Sequence, residues 1–287
     1  MPCGSAREKS VFVFQPLVCF SMSFACASAL ASPFAAEVIS YDQGSNAVGS
    51  FTDASAALGS AERFTGEGVF PSGVTPFNPA FGADEIVSIG AGGELTLRMG
   101  TAITNDASHA FGVDMIVFGN AGFIDQSFFD ADPNNDGTGV LGSAPSLFGA
   151  GGIAEVWVSA DGSDWRLAAT TAIDLFPTLG YQDYSVTTPA SEGSVPTDFT
   201  QAMDPSLGLA DLAGLTYAEL LDVYGSSGGG VGIDISSTGL ASAEFVRFIN
   251  NDSAAFEIDA VAAVPAPGPV ALLAIGLGLA SRRSRKI

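Results

Sequence analysis

Residues 153–169 read IAEVWVSADGSDWRLAA, and this stretch decides the class of fold. Two short apolar runs flank a polar centre, and within each run apolar and polar residues alternate as they do in half-buried strands. The central pair Asp161 and Gly162 suits a tight turn with positive φ angles. The stretch therefore predicts a β-hairpin with strands near 155–159 and 165–169. We expect Trp157 to point into the core.

Other short segments bracketed by glycine repeat this strand pattern along the chain. In one of them Leu95 and Leu97 are expected to face inward, and in another Glu257 and Asp259 are expected to form part of a charged outer face. The predicted strands outside the hairpin cover residues 94–98, 114–118, 231–235, 245–249 and 256–261.

One helix is predicted near residues 217–224. Thr216 and Glu219 have the spacing of a capping box, in which each side chain binds a free backbone N–H group of the first turn. Gly225 follows the apolar run and suits a helix end. The sequence therefore predicts an all-β fold, a single β-sandwich ectodomain over residues 32–263, with one short helix.

Charge excludes one functional class. The 287 residues include 31 acidic and 10 basic side chains, which gives a formal net charge of −21. Between residues 32 and 264 there are four arginines, no lysine and 30 acidic residues, a formal charge of −26. Nucleic-acid binding depends on clustered Lys and Arg that neutralise phosphates. The composition therefore excludes nucleic acid as a partner.

The N-terminal 31 residues have the layout of a signal peptide. Arg7 and Lys9 precede an apolar run at 11–24, and small residues at 29–31 provide a site for signal peptidase. Cleavage after Ala31 would remove all three cysteines. The mature chain would then have no thiol, which excludes disulfides and thiolate catalysis.

The C-terminal residues 264–287 form a three-part tail. A proline-containing motif comes first, and an apolar run at about 269–281 predicts a short helix. That run is short for a bilayer span, but the arginine-rich end at 282–286 suits retention on the cytoplasmic side. The residues that define the motif and the cationic end are Pro265, Ala266, Pro267, Arg282, Arg283 and Arg285.

The order of these parts resembles the PEP-CTERM sorting signals of Gram-negative bacteria, with Pro-Ala-Pro in place of Pro-Glu-Pro. The resemblance implies an exosortase-like sorting enzyme as a partner. It also implies a secreted protein at the cell surface or outer envelope, anchored transiently to the membrane by its tail.

Three parts of the ectodomain carry a second resemblance, at residues 115–120, 153–165 and 245–261. They are similar to the secreted bacterial β-sandwich domains of the discoidin-like or jelly-roll kind that commonly accompany such tails. The resemblance implies a jelly-roll-like sandwich and says little about activity, because one sandwich hosts many functions.

Residues 130–139 read DADPNNDGTG and provide the candidate metal site. From Asp132 the segment follows D-x-N-x-D-G, which resembles the start of an EF-hand or dockerin-type calcium loop. The twelfth position holds Ser143 instead of Glu, and no flanking helix is evident, so a solvated turn without metal is the alternative. The candidate calcium ligands are Asp130, Asp132, Asn134, Asp136 and Thr138.

Tyr181 and Tyr184 are the candidate ligand-binding residues. They follow Pro177 and Gly180 in a predicted loop, where their rings could stack on a sugar of an extracellular polysaccharide, and ordinary loop packing is the alternative. The single histidine, His109, cannot build a multi-histidine zinc site, and no nucleophile motif accompanies it. We expect it to be structural or on the surface.

Together these features predict an exported, non-enzymatic cell-surface or extracellular-matrix protein with a C-terminal sorting signal. The alternative is a calcium-assisted, lectin-like module that binds extracellular polysaccharide.

Overall fold

The computed structural model describes residues 31–128, 140–149, 151–173, 175–183 and 193–266, all within one compact unit. This part of the chain is predominantly β, with fourteen strands, one α-helix and five short 3-10 helices. The strands are β1 (Ala35–Asp42), β2 (Phe64–Thr65), β3 (Ser72–Gly73), β4 (Val87–Ile89), β5 (Glu94–Thr104), β6 (Met115–Phe118), β7 (Gly122–Phe123), β8 (Leu147–Phe148), β9 (Ala154–Ser159), β10 (Trp165–Thr171), β11 (Val231–Ile233), β12 (Ser242–Asn250), β13 (Phe256–Ile258) and β14 (Ala260–Ala263). The helix is α1 (Tyr217–Tyr224), and the 3-10 helices are Ala54–Ala57, Ala110–Gly112, Gln126–Phe128, Leu209–Leu212 and Ser236–Thr238.

The largest sheet has five antiparallel strands in the order β1-β5-β12-β9-β10. The predicted hairpin is confirmed as β9 and β10 at one edge of this sheet. Gly162 in its turn has a φ of 76°, and the Asp161 carboxylate accepts the N–H groups of Ser163 and Asp164 at 2.8 and 3.0 Å. Strand β1, which forms the other edge, was not predicted.

A second antiparallel sheet contains three strands in the order β11-β6-β14, and β13 pairs with β4 beside it. Both sheets contribute to one apolar core. Leu95 and Leu97 of β5 face inward as predicted, and they join Val117 of β6 and Val261 of β14 in the same buried cluster. Burial of this shared apolar surface is the main force that holds the two sheets together.

Helix α1 is confirmed with the predicted cap. The Thr216 N–H donates to the Glu219 carboxylate at 2.8 Å, the Glu219 N–H donates to the Thr216 hydroxyl at 3.4 Å, and Gly225 ends the helix with a φ of 58°. Its buried residues Leu220 and Tyr224 pack into a separate apolar cluster with Phe123 and Leu179.

The orientation predicted for Trp157 is wrong. Val156 and Val158 face the core with no exposed surface, so the alternation of a strand places Trp157 on the outer face of the sheet. Its indole N–H donates to the carboxylate of Glu155, another outward residue, at 3.1 Å.

The surface position predicted for Glu257 and Asp259 is also wrong. The single strand expected at 256–261 is divided into β13 and β14, which belong to different sheets, and Asp259 lies between them. Glu257 is 5% exposed and Asp259 is 1% exposed. Each acid has a polar partner: the Ser88 hydroxyl donates to Glu257 and the Glu62 N–H donates to Asp259.

The two ends of the described chain meet. The Ala263 N–H donates to the Pro33 carbonyl at 2.8 Å, and Phe34 and Ala262 form a β-bridge. Within the described ranges no helix has the length and apolar character needed to cross a membrane. The predicted apolar helix at 269–281 and the signal peptide, up to residue 30, lie outside those ranges.

Candidate functional site

Most of the predicted site residues lie outside the described part of the chain. These are the calcium candidates Asp130, Asp132, Asn134, Asp136 and Thr138, the ligand candidate Tyr184, and the tail residues Pro267, Arg282, Arg283 and Arg285. Of the sorting motif, Pro265 and Ala266 are described, and both are exposed. In the ranges that the structure covers, no group of three or more His, Cys, Asp and Glu side chains is placed to hold a metal ion.

Asp125 fixes the base of the candidate calcium segment. Its carboxylate accepts the N–H groups of Ser127 and Val140 at 2.9 Å each. The Gln126 N–H also donates to the Val140 carbonyl at 2.9 Å. The two ends of the segment between 126 and 140 are therefore held together by hydrogen bonds.

Tyr181 is 9% exposed. The Arg63 guanidinium lies 6.0 Å from the ring centroid and donates to the Gly180 carbonyl and to the Thr197 hydroxyl. This packing against Arg63 leaves the tyrosine little surface on which a sugar could stack.

His109 is buried beside Asp114, with its Nδ1 2.8 Å from the Asp114 carboxylate. The same carboxylate accepts the N–H groups of Asp106 at 3.1 Å and Ile235 at 3.0 Å. Because one carboxylate joins the loop at 106–114 to the segment after β11, the pair has a structural role, which agrees with the expectation for His109.

An open cavity of about 540 Å³ lies between the β2–β3 hairpin and residues 81–85. Glu85 connects its two walls, because its carboxylate accepts the Thr65 hydroxyl at 2.5 Å, the Phe81 N–H at 3.0 Å and the Gly82 N–H at 2.7 Å. The cavity is lined by Glu62, Gly66, Glu67, Val69, Phe81, Gly82, Ala83, Asp84 and Glu85.

Four of these lining residues are acidic, and they repel one another. Partial burial raises the pKa of Glu62 to about 7, and the nearby carboxylates of Glu85, Glu67 and Asp84 add to the shift. Behind Glu62, complete burial raises the pKa of Asp259 well above its ordinary value. The cavity therefore favours a positively charged occupant, which would relieve this repulsion.

Both tryptophans lie on the outer face of the five-stranded sheet. Trp157 faces outward from β9, and Trp165 begins β10 in the neighbouring row. Arg247 of β12, the cross-strand partner of Trp157, stacks over the Trp165 ring at 4.1 Å and donates to the Thr96 hydroxyl at 3.0 Å. The half-buried rings and the exposed Leu167 form a mixed aromatic and polar face.

Sequence reasoning missed the cavity because its walls come from two separate turns. The signal present in the sequence was an acid-rich pair of segments around exposed apolar residues, AERFTGEGVF at 61–70 and FGADE at 81–85. The fold brings these segments together through the hydrogen bonds of Thr65 with Glu85 and Phe81 and through the close approach of the Gly66 turn to Phe81, where a Cβ on Gly66 would lie 2.4 Å from the ring.

The described residues form a predominantly β fold with one short helix, and the chain as a whole is strongly acidic. Neither a protein-family model nor a curated protein matches the sequence.

Proposed function

We propose that this chain is an exported, non-enzymatic protein of the cell surface or extracellular matrix. Signal peptidase would remove residues 1–31, and the body of residues 32–263 would be a jelly-roll-like β-sandwich. An exosortase-like enzyme would then process the tail at 264–287, which anchors the protein to the membrane until that step.

The observation that supports this proposal is the contact between the two ends of the domain. The Ala263 N–H binds the Pro33 carbonyl, so both proposed processing boundaries lie next to the same hydrogen bond. The first and last core strands, β1 and β14, both lie inside the two boundaries. Removal of both end segments would therefore leave every core strand intact.

Fractionation of an exporting Gram-negative host tests the proposal. We expect a chain that ends at Val264, the first tail residue, which is kept because it is buried in the domain, to be released, while the full-length chain is found in the membrane until it is processed. Replacement of Arg282, Arg283 and Arg285 by alanine should weaken retention, because the cationic end would no longer oppose translocation. If the full-length and the truncated chains distribute alike, the tail does not sort the protein.

The tryptophan face favours a second candidate function, a calcium-assisted, lectin-like module. Trp157 and Trp165 lie on one accessible sheet face, and tryptophan rings provide large apolar surfaces with a polar edge. A polysaccharide could stack on the parts of the two rings that stay exposed, and the Glu155 carboxylate, which accepts the Trp157 indole N–H, could also accept a sugar hydroxyl. In this function the segment 130–138 would bind calcium and order the neighbouring loops.

Binding to extracellular polysaccharide purified from the host tests this second function. Trp165→Ala should weaken binding, and Phe148→Ala, which truncates an exposed ring elsewhere, should not. Calcium should raise the melting temperature, because a ligand of the folded state stabilises it, and Asp132→Ala with Asp136→Ala should abolish that shift. Equal binding by both ring variants would contradict the lectin function, and an unchanged melting temperature would show that the loop is a turn without metal.

A further inference from the structure

The most exposed apolar side chains of the described chain lie at the tip of the β2–β3 hairpin. Phe70 is 78% exposed and Val69 is 67% exposed, and Phe81, which is 39% exposed, lies against the same turn. Large apolar groups in such a contiguous, exposed group mark a site of interaction more often than single exposed residues do. We name Val69, Phe70 and Phe81 the apolar tip.

The apolar tip adjoins carboxylates that have no cationic partner in the described structure. Glu62, Glu67 and Asp84 line the cavity beside it, and the three ion pairs of the described residues all lie elsewhere. The four described arginines are occupied: Arg63 by Gly180 and Thr197, Arg98 by Glu37, Arg166 by Asp164, and Arg247 by Thr96 and Trp165.

Charge complementarity decides what kind of partner fits. A second copy of this domain carries the same 30 acidic residues against four arginines, so the two copies would repel each other. A small organic cation could enter the cavity but would leave Phe70 uncovered, because Phe70 does not line the cavity. An occupant that covers the tip and reaches the carboxylates must be extended and must carry both apolar and cationic groups.

We infer that the apolar tip and its acidic cavity bind a basic, apolar peptide segment of another protein. Apolar side chains of the segment cover Val69 and Phe70. An Arg or Lys side chain enters the cavity and pairs with Glu62, Glu67 and Asp84. The inference does not rest on the proposed sorting tail, because all of its residues lie between 62 and 85.

Two features support the pairing step. One carboxylate oxygen of Glu85, Oε2, accepts hydrogen bonds from Thr65, Phe81 and Gly82, so it fixes the shape of the cavity before a partner arrives. The carboxyl of Glu62 lies among other acids with part of its surface buried, and a bound guanidinium would favour its charged form.

Fluorescence anisotropy with a labelled hexapeptide RFRLRF tests the inference on the full-length chain in a neutral detergent. We expect saturable binding that weakens between about 50 mM and about 500 mM salt, because the charged groups are partly exposed. The peptide QFQLQF, which has the same apolar groups without charge, should bind about tenfold more weakly. Absence of saturable RFRLRF binding would overturn the inference.

Matched variants separate this site from general attraction to an acidic protein. Glu67→Gln with Asp84→Asn should reduce the affinity about tenfold, and Val69→Ser with Phe70→Ser should have an effect of similar size. The charge control is Asp222→Asn with Glu244→Gln, and the apolar control is Ile39→Ser with Ile153→Ser, all at exposed positions outside the site. Both controls should stay within about twofold of the wild type.

Three outcomes would overturn the inference. The charge control could lose as much affinity as the cavity variant, which would indicate nonspecific attraction. Phenethylammonium could bind as tightly as the peptide and in competition with it, which would assign the cavity to a small cation. Sedimentation could show a dimer that the tip variant abolishes, which would assign the tip to a second copy.

Discussion

Glu62 and Asp259 are carboxylic acids held where their charged forms are poorly solvated. Burial is the larger cause in both, and neighbouring carboxylates add to it. The folded protein therefore binds their protons more tightly than the unfolded chain does. Stability from these groups is greatest at low pH and is lost as the pH rises from the ordinary carboxyl value through the raised one.

Glu62→Gln tests this pH dependence. For Glu62 the loss falls between its ordinary pKa of 4.5 and its raised value of about 7. We expect the melting temperature of the wild type to fall between about pH 5 and about pH 8, and the variant to show a smaller fall, because glutamine does not ionise. The exposed Glu244→Gln provides the control. A variant whose melting temperature follows the wild-type curve would contradict the assignment to Glu62.

The Asp114 carboxylate accepts hydrogen bonds from three donors, the N–H groups of Asp106 and Ile235 and the Nδ1 of His109. Asp114→Ala would leave the buried N–H group of Ile235 and the part-buried N–H group of Asp106 without their acceptor and would separate His109 from its partner. We expect the free energy of unfolding to fall by roughly 3 kcal/mol, measured by urea denaturation. Asp114→Asn, which keeps one acceptor oxygen, should lose less. A loss within about 0.5 kcal/mol for the alanine variant would show that water replaces the carboxylate.

At the scale of elements, the two edges of the five-stranded sheet are interrupted. β1 has register shifts between Ala35 and Glu37 and between Val38 and Ser40, and β10 has one between Leu167 and Ala169. Such irregularities twist an edge and disfavour pairing with the edge of another molecule. The sheet can therefore expose its tryptophan face without an edge that invites aggregation.

Thr216→Ala tests the helix cap. The variant removes the hydroxyl that accepts the Glu219 N–H, and we expect it to cost about 1 kcal/mol in thermal unfolding. Thr216→Ser keeps the hydroxyl and should stay near the wild type. Equal stabilities of the alanine and serine variants would mean that tertiary packing alone holds α1.

The elements that sequence reasoning predicted well depend on local signals. The turn at Asp161 and Gly162 and the cap at Thr216 each follow from a few adjacent residues, and both occur in the structure. Strand β1 carries no comparable turn signal and was missed. Trp157 lies on the outer face because its two neighbours along the strand, Val156 and Val158, are apolar and are the ones that the core buries.

Long-range packing explains the other differences. Asp259 is buried because the segment at 60–63, nearly 200 residues earlier, lies against it, and its carboxylate accepts the Glu62 N–H across a separation of 197 residues. The acidic cavity likewise needs two turns that only the fold brings together. The acidic residues at 61–70 and 81–85 are visible in the sequence, but neither segment shows that Glu62, Glu67 and Asp84 share one cavity.

At the scale of the whole molecule, two features fit the proposed function: the strong negative charge of the domain and the contact between its two ends. The 30 acidic residues against four arginines would disfavour nonspecific association of the proposed exported domain and would favour cationic partners. Its ends meet at Pro33 and Ala263, so the segments on either side can be processed without loss of a strand. The proposed protein is a β-domain whose two ends meet and whose terminal segments direct its export and sorting.

The intact mass and terminal peptides of the protein recovered from the surface of an exporting Gram-negative host test this account most directly. The account predicts a mature chain that begins at Ser32 and lacks the apolar run and the arginine-rich end. It also predicts that a host without an exosortase retains the tail-bearing form in its membrane. A surface protein that still carries residues 1–31, or an intact tail through Ile287, would contradict it.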